Sequence, residues 1–164
     1  MAKIDVLLPV RNGVQFLAES IDSVIAQTFR DWRLLILDHG STDGSLALAQ
    51  RYRLTDSRIE VHACAHAASL ADLLNIGLER CNAPYMMRHD ADDVCLPERM
   101  ALTLAAFEAD RHCIVIGGQA EVIDAAGISR GMMDLPVGRT WLQAHSLFSN
   151  PVAHPTAMPT IPCN

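Results

Sequence analysis

PYMMRHDADDV, residues 84–94, joins a short apolar run to three carboxylates within four positions. Asp90, Asp92 and Asp93 repel one another, and a cation among them would remove that repulsion. Hard oxygen donors of this kind suit Mg2+ or Mn2+, ions that keep several waters and share a phosphate-bearing substrate. Aspartate is also at home in turns and at helix N-caps, where one carboxylate accepts backbone N–H bonds. Capping explains one of the three carboxylates more readily than all of them.

Outward from this stretch, β-rich runs alternate with helical patterns, without internal repeats. IDVLLPV (4–10) reads as a buried strand ended by the turn signal Asn12-Gly13. Over residues 16–29, Leu17, Ile21, Val24, Ile25 and Thr28 step by three and four, predicting a helix with Glu19, Asp22 and Gln27 off its apolar face. WRLLILD (32–38) predicts a second strand. In the polar turn HGSTDG that follows, Gly40 permits a tight bend and Ser41, Thr42 or Asp43 can cap the next helix, over 45–53. Residues 58–63 read as a strand, 69–81 as a helix, 84–89 as a strand, and a helix opened by Pro97 runs to about Ala109. CIVIGG (113–118) predicts a fifth strand and AEVID (120–124) another.

This alternation predicts one α/β domain over residues 1–164, a mostly parallel, Rossmann-like sheet flanked by helices. In such sheets ligands gather beyond the carboxyl ends of the strands. Asp38 closes the second strand and Asp90 follows the fourth, so both are expected on one rim.

Composition narrows the function classes. The 164-residue chain is half apolar, enough for a sizeable core. Its net charge is −6 and its 13 Lys and Arg are scattered, which excludes a nucleic-acid footprint. Five dispersed cysteines (Cys64, Cys81, Cys95, Cys113, Cys163) suit reduced thiols in a cytoplasmic chain. MAKIDVLLPV is too short an apolar run for a signal peptide, and no stretch of about 18 apolar residues is available to span a bilayer.

PVRNG, DHGSTDG, RHDADD and NPVAHPT (150–156), in this order and spacing, resemble the nucleotide-sugar-binding half of the family 2 inverting glycosyltransferases of the GT-A fold, over residues 3–158. The resemblance implies a nucleoside held around Pro9, Val10, Asn12 and Asp38, with Arg11 stacking on the base where the family often has an aromatic. It implies Asp90 and Asp92 around ribose and metal, Asp93 assisting, and Mn2+ or Mg2+ as cofactor. Arg88 then offers a fork of donors to a phosphate or carboxylate, or else forms a structural ion pair. The implied partner is a UDP- or GDP-linked sugar, transferred with inversion to an unidentified acceptor hydroxyl through an oxocarbenium-like transition state, with a general base at the acceptor.

Besides Arg11, two departures from the family pattern matter. His39 stands where a second carboxylate is usual, which removes an acceptor from the turn. The family's catalytic Asp or Glu lies some tens of residues beyond the NPxxHPT segment, whereas this sequence ends at Asn164 and its last acidic residue is Asp134. The catalytic residue is therefore unknown, and neither Asp124 nor Asp134 is assigned the role. Pro155, Pro159 and Pro162 also interrupt the strand expected there. The expectation is a truncated glycosyltransferase domain whose C-terminal part is incomplete, with the region from Arg139 onward packing poorly or relying on self-association as a homo-oligomer. A catalytically silent nucleotide-binding or interaction fragment is the alternative. A sugar-nucleotide pyrophosphorylase would need a Gly-rich phosphate loop after the first strand, where LPVRNGVQF has only Gly13. A haloacid-type phosphatase would carry its acidic motif there. His62, Cys64 and His66 would face one way on a continued strand, a zinc pattern lacking a fourth donor. His154 reads as a structural histidine or as a group approaching the diphosphate.

Overall fold

A computed structural model describes residues 2–147 and 149–161. The run IDVLLPV forms β1 (Ile4–Val10), and every one of its residues is buried. Such a strand needs cover on both faces. β2 (Trp32–Asp38) and, beyond it, β3 (Ile59–Ala63) lie on one side of β1, and β4 (Tyr85–Arg88) lies on the other. All three pairings are parallel, in the order β3-β2-β1-β4.

Alternate side chains along β1 sort to opposite faces. Ile4, Val6, Leu8 and Val10 join Leu34 and Ile36 against Leu17, Ile21 and Val24 of α1 (Val14–Ile25), Ala49 of α2 (Ser45–Thr55), and, further along the chain, Met100, Leu104 and Phe107. Leu7, with Leu35 and Leu37, packs on Leu73 of α3 (Leu70–Leu78). Met100, Leu104 and Phe107 belong to α4 (Arg99–Ala109). Helices therefore cover both faces, as predicted. α3 approaches so closely that a Cβ at Gly77 would lie 2.6 Å from Leu37 Cδ1.

The structure corrects three expectations. The first helix stops at Ile25, because the Gln27 N–H turns back to the Val24 carbonyl. Gln27, placed off the apolar face, is fully buried, and Thr28, placed on it, is exposed. The Gln27 amide donates to Leu96 O at 2.8 Å and accepts from Met100 N at 3.0 Å, so it fastens the segment leading into α4.

The predicted fifth strand contracts to β5 (Val115–Ile116) and stays out of the parallel sheet. The 120–124 run becomes β6 (Glu121–Ile123), which pairs only with β7 (Ser129–Met132) in an antiparallel hairpin. After α5 (Arg139–Ser146) the chain makes a 3-10 turn at His154–Thr156 and enters β8 (Met158–Pro159), the antiparallel partner of β5. The reason lies at the free edge of β4. Residues 157–161 occupy it: Arg88 N–H donates to Ala157 O, Ile161 N–H donates to Pro84 O, and Tyr85 bridges Thr160. Pro155 and Pro159 are accommodated in the turn and in the two-residue β8, while Pro162 and Cys163 lie outside the described residues. In the region from Arg139 onward, Trp141 and Leu147 are exposed. Among the described residues no helix is long and apolar enough to cross a membrane.

One buried charge anchors the sheet. Asp5 on β1 is fully buried, accepts Arg33 Nε and Nη2 at 2.9 Å each, and accepts the backbone N–H groups of Asn82 and Ala83. The hydrogen bond to Asp5 pushes the Arg33 pKa up. Removing one partner of such a pair leaves the other uncompensated. Asp5→Ala should lower the unfolding free energy by about 3–5 kcal/mol in urea titrations, with a smaller loss for Asp5→Asn.

Candidate functional site

β1 and β2 end side by side, with Val10 paired to Asp38. The loops that leave them are stitched together. Asn12 takes a left-handed backbone conformation (φ 53°), which asparagine tolerates. Its N–H donates to Ser41 Oγ at 3.0 Å, and its side-chain oxygen accepts from Thr42 N at 2.8 Å. Asp43 accepts Val14 N, the first N–H of α1, on one oxygen, and Ser45 N, the first of α2, on the other. One carboxylate thus caps two helices, beyond the single cap expected of it. The Ser45 hydroxyl and the Val14 N–H hold the Asp43 pKa below the usual carboxylate range.

Asp38 is only 2% exposed. Its Oδ2 accepts Gly40 N at 3.1 Å and Ser41 N at 3.2 Å, whereas its Oδ1 is buried with no hydrogen-bond partner among the described residues. Pro9 and Val10 are buried beside it, and Arg11 and Asn12 stand at the surface. His39 donates through Nε2 to Ala67 O at 2.7 Å and through its backbone N–H to Val10 O. The Ala67 carbonyl takes its donor from the imidazole, which a carboxylate at position 39 would not supply.

The acidic loop leaves β4 on the other side of β1. Arg88 pairs with Leu7, and His89 N–H donates to Leu7 O. With neighbouring strands about 4.8 Å apart, Asp38 and the acidic loop flank β1 on one rim. Arg88 makes a two-pronged ion pair with Asp90, Nε to Oδ1 at 3.0 Å and Nη2 to Oδ2 at 3.1 Å, so its fork is engaged within the loop itself. Asp93 N–H closes a turn on Asp90 O. Asp92 is exposed and Asp93 half-buried. Burial, reinforced by the charges of Asp90 and Asp92, pushes the Asp93 pKa up to about 6. Among the described residues no three His, Cys, Asp or Glu side chains gather so as to hold a metal by themselves. Asp92 and Asp93 line a hollow of about 240 Å³ with Phe16, Glu19, Ile123 and Asp124, and Asp38 is not in its walls. The His62, Cys64, His66 pattern does not converge either: His62 lies 3.3 Å from Glu60, and Cys64 is buried with its N–H on Asp38 O.

The sequence reading missed the cradle beneath the acidic loop. Ser20 and Ser23 of α1 are buried with Gln27, at i, i+3, i+7 spacing. Ser20 Oγ donates to Asp90 O at 3.0 Å, and Ser23 Oγ accepts Cys95 N at 3.0 Å. His89, fully buried, lies between Ser20 Oγ and Cys95 Sγ. A polar stripe running through an apolar helical face was the available signal.

Two groups here titrate in opposite senses. Burial, with Arg99 nearby, lowers the His89 pKa from 6.5 to about 4, so the folded state binds fewer protons between those values and stability falls as pH drops. Asp93, raised from 3.8 to about 6, binds more protons when folded, so stability falls as pH rises from 4 through 6. The slopes offset one another in the wild type. In Asp93→Asn only the histidine slope survives. Metal-free thermal melts should show this variant losing about 1–2 kcal/mol more than wild type between pH 7 and 4.5, a figure reduced for the partial exposure of Asp93.

The comparisons with known proteins bear on the family and the fold. A profile of the family described as Glycosyl transferase family 2 matches residues 5–155. EpsE of Bacillus subtilis (strain 168) is 36% identical over 135 residues, covering 82% of this chain and 48% of EpsE. The glycosyltransferase GlyG of Streptococcus pneumoniae serotype 4 is 28% identical over 115 residues, covering 70% of this chain and 38% of GlyG. The chain thus spans less than half the length of these relatives. Among solved structures, the mannosyltransferase PcManGT from Pyrobaculum calidifontis, in complex with GDP-Man and Mn2+, is similar with a TM-score of 0.66 at 19% identity, over 74% of this chain and 36% of that one. S. aureus TarS 1-349 in complex with UDP-GlcNAc is similar with a TM-score of 0.60 at 22% identity, over 69% of this chain and 33% of that one. At these identities the likeness is one of fold.

Proposed function

The chain belongs to glycosyl transferase family 2, and on that premise we propose that residues 1–164 act as a single donor-binding domain. It holds a nucleoside-diphosphate sugar, UDP- or GDP-linked, across the rim between Asp38 and the acidic loop, for inverting transfer of the sugar to an acceptor hydroxyl. The observation that carries this reading is the parallel pairing that sets Asp38, at the end of β2, and the acidic loop, after β4, on either side of the end of β1. Pro9 and Val10 form the floor of the nucleoside site, and Arg11 offers a guanidinium plane to the base. Asn12, engaged by Thr42, keeps the loop in shape. The solved neighbours in complex with GDP-Man and UDP-GlcNAc support the nucleotide class.

The cofactor in this reading is Mn2+ or Mg2+. The acidic loop fits such an ion: its donors are hard oxygens, and a cation would relieve the carboxylate repulsion that adds to burial in raising the Asp93 pKa. Asp90, paired with Arg88, sits toward the ribose, which leaves Asp92 and Asp93 to meet the metal. One or two carboxylates completed by diphosphate oxygens and water is the usual way such ions are held. When bound, the cation supplies Lewis-acid stabilisation of the negative charge that grows on the leaving diphosphate. The Mn2+ in the PcManGT complex supports this choice.

Inversion also needs a base at the acceptor hydroxyl. Asp124 is ill-suited, because the N–H groups of Ile128 and Ala126 and the Arg130 guanidinium hold its pKa low. That observation favours a second reading, in which the chain binds donor without transferring it. The unpaired Cys64, Cys81, Cys95 and Cys113 suit a reducing compartment, so a cytoplasmic location is part of the proposal.

Calorimetric titration of UDP and GDP, with Mn2+ and with EDTA, tests the proposal. One of the two should bind with a marked gain from metal. Asp38→Ala should weaken binding about 10- to 100-fold under both conditions, the worth of a charge-assisted hydrogen bond. Asp92→Asn should remove most of the gain from metal. No affinity for either nucleotide would refute the proposal, and sugar release or transfer by this chain would exclude the second reading.

A further inference from the structure

Arg99, on the first turn of α4, joins both ends of the acidic loop to the 3-10 turn, 56 positions further along the chain. Its Nη1 donates to Cys95 Sγ in the acidic loop at 3.1 Å, and its Nη2 donates both to Arg88 O at the end of β4 (3.2 Å) and to Pro155 O in the 3-10 turn (2.6 Å). We infer that Arg99 is a positioning residue for the donor site: its guanidinium fixes the acidic loop in the shape in which Asp92 and Asp93 receive a cation and a diphosphate. The inference rests on the donor-binding reading above.

A directional chain of hydrogen bonds extends the clasp to the acidic turn itself. Ser20 Oγ has one proton, and its bond to the Asp90 carbonyl uses it, because a carbonyl only accepts. His89 Nε2 must then carry the proton in its 3.0 Å contact with Ser20 Oγ. Neutral His89 therefore has a bare Nδ1, which accepts the Cys95 thiol proton at 3.3 Å, while the sulfur accepts from Arg99. Donation runs one way, from Arg99 through Cys95, His89 and Ser20 to the carbonyl of Asp90. That same carbonyl receives Asp93 N–H and closes the turn bearing the carboxylates. A planar fork reaches two acceptors on one nitrogen and a third on the other. A lysine ammonium is a single point charge and cannot span all three.

The test compares wild type with Arg99→Lys, Arg99→Ala and Ser20→Ala by the ratio of UDP or GDP affinity in Mn2+ to that in EDTA, using whichever nucleotide the wild type binds. A positioning role predicts that Arg99→Lys shrinks this ratio about tenfold or more, in line with the effect of groups that orient metal ligands. Affinity in EDTA stays within about twofold, since the nucleoside end is held by β1 and β2. Guanidinium chloride at low millimolar concentration restores part of the ratio in Arg99→Ala. Ser20→Ala, at the far end of the relay, moves the ratio in the same direction and covers the case in which Arg99→Ala does not fold. An unchanged ratio in Arg99→Lys overturns the inference. So does a parallel loss of both affinities together with melting temperature, which marks a merely structural clasp. A wild type that binds neither nucleotide overturns the donor-binding reading as well, whereas wild-type binding with an indifferent Arg99→Lys overturns this inference alone.

Discussion

Parallel pairing of β1 with a strand on each side is the constraint from which the site follows. Because β2 and β4 run the same way as β1, their chain exits fall at one end of the sheet, and the loops after Asp38 and Arg88 flank the loop after Val10. An antiparallel neighbour would have sent one of these loops to the far end. The cost of the arrangement is a strand buried on both faces, which only helices crossing above and below can cover. α1, α2 and α4 supply one layer and α3 the other.

The rim is shaped by polar groups held inside the fold. The Asp38 side is set by Asp43, which caps two helices at once, and by Asn12, which ties one loop to the next. The acidic side rests on Ser20, Ser23 and Gln27, each buried and each bonded to the segment between β4 and α4. Individual bonds of this kind contribute about 1 kcal/mol net, but a buried partner left alone costs more, so the network favours one loop geometry over its neighbours. Asp38 Oδ1, like Trp32 Nε1 and His62 Nε2, is buried without a hydrogen-bond partner among the described residues. Arg88 reduces the charge crowding within the loop by pairing with Asp90, while burial and the neighbouring carboxylates still raise the Asp93 pKa.

Much of this was legible in the sequence, and the parts that were not share a cause. The runs at 4–10 and 32–38 announce buried parallel strands because both faces are apolar, and their ends place Asp38 and Asp90 on one rim once the topology is known. CIVIGG has the same local composition and yet contributes two residues to a separate pairing, because residues 157–161 take the edge of β4. Which segment wins an edge is a competition between distant parts of the chain, and no local window contains it. Gln27 was misread and the two serines missed for the same reason: their partners lie about seventy positions away in sequence, and a helical wheel shows spacing but not what packs on it. His39 looked like a departure in chemistry and is, in the structure, the donor that a neighbouring carbonyl requires.

The most direct measurement is a nuclear magnetic resonance titration of the isotopically labelled chain with UDP or GDP in the presence of Mg2+, following the backbone amides of Gly40 and Ser41 beside Asp38 and those of Ala91 to Asp93 in the acidic loop. A single nucleotide spanning the rim predicts that both sets shift along one binding curve and reach saturation together. Shifts confined to one loop, or two sets that saturate at different concentrations, would show that the flanks of β1 do not form a common site.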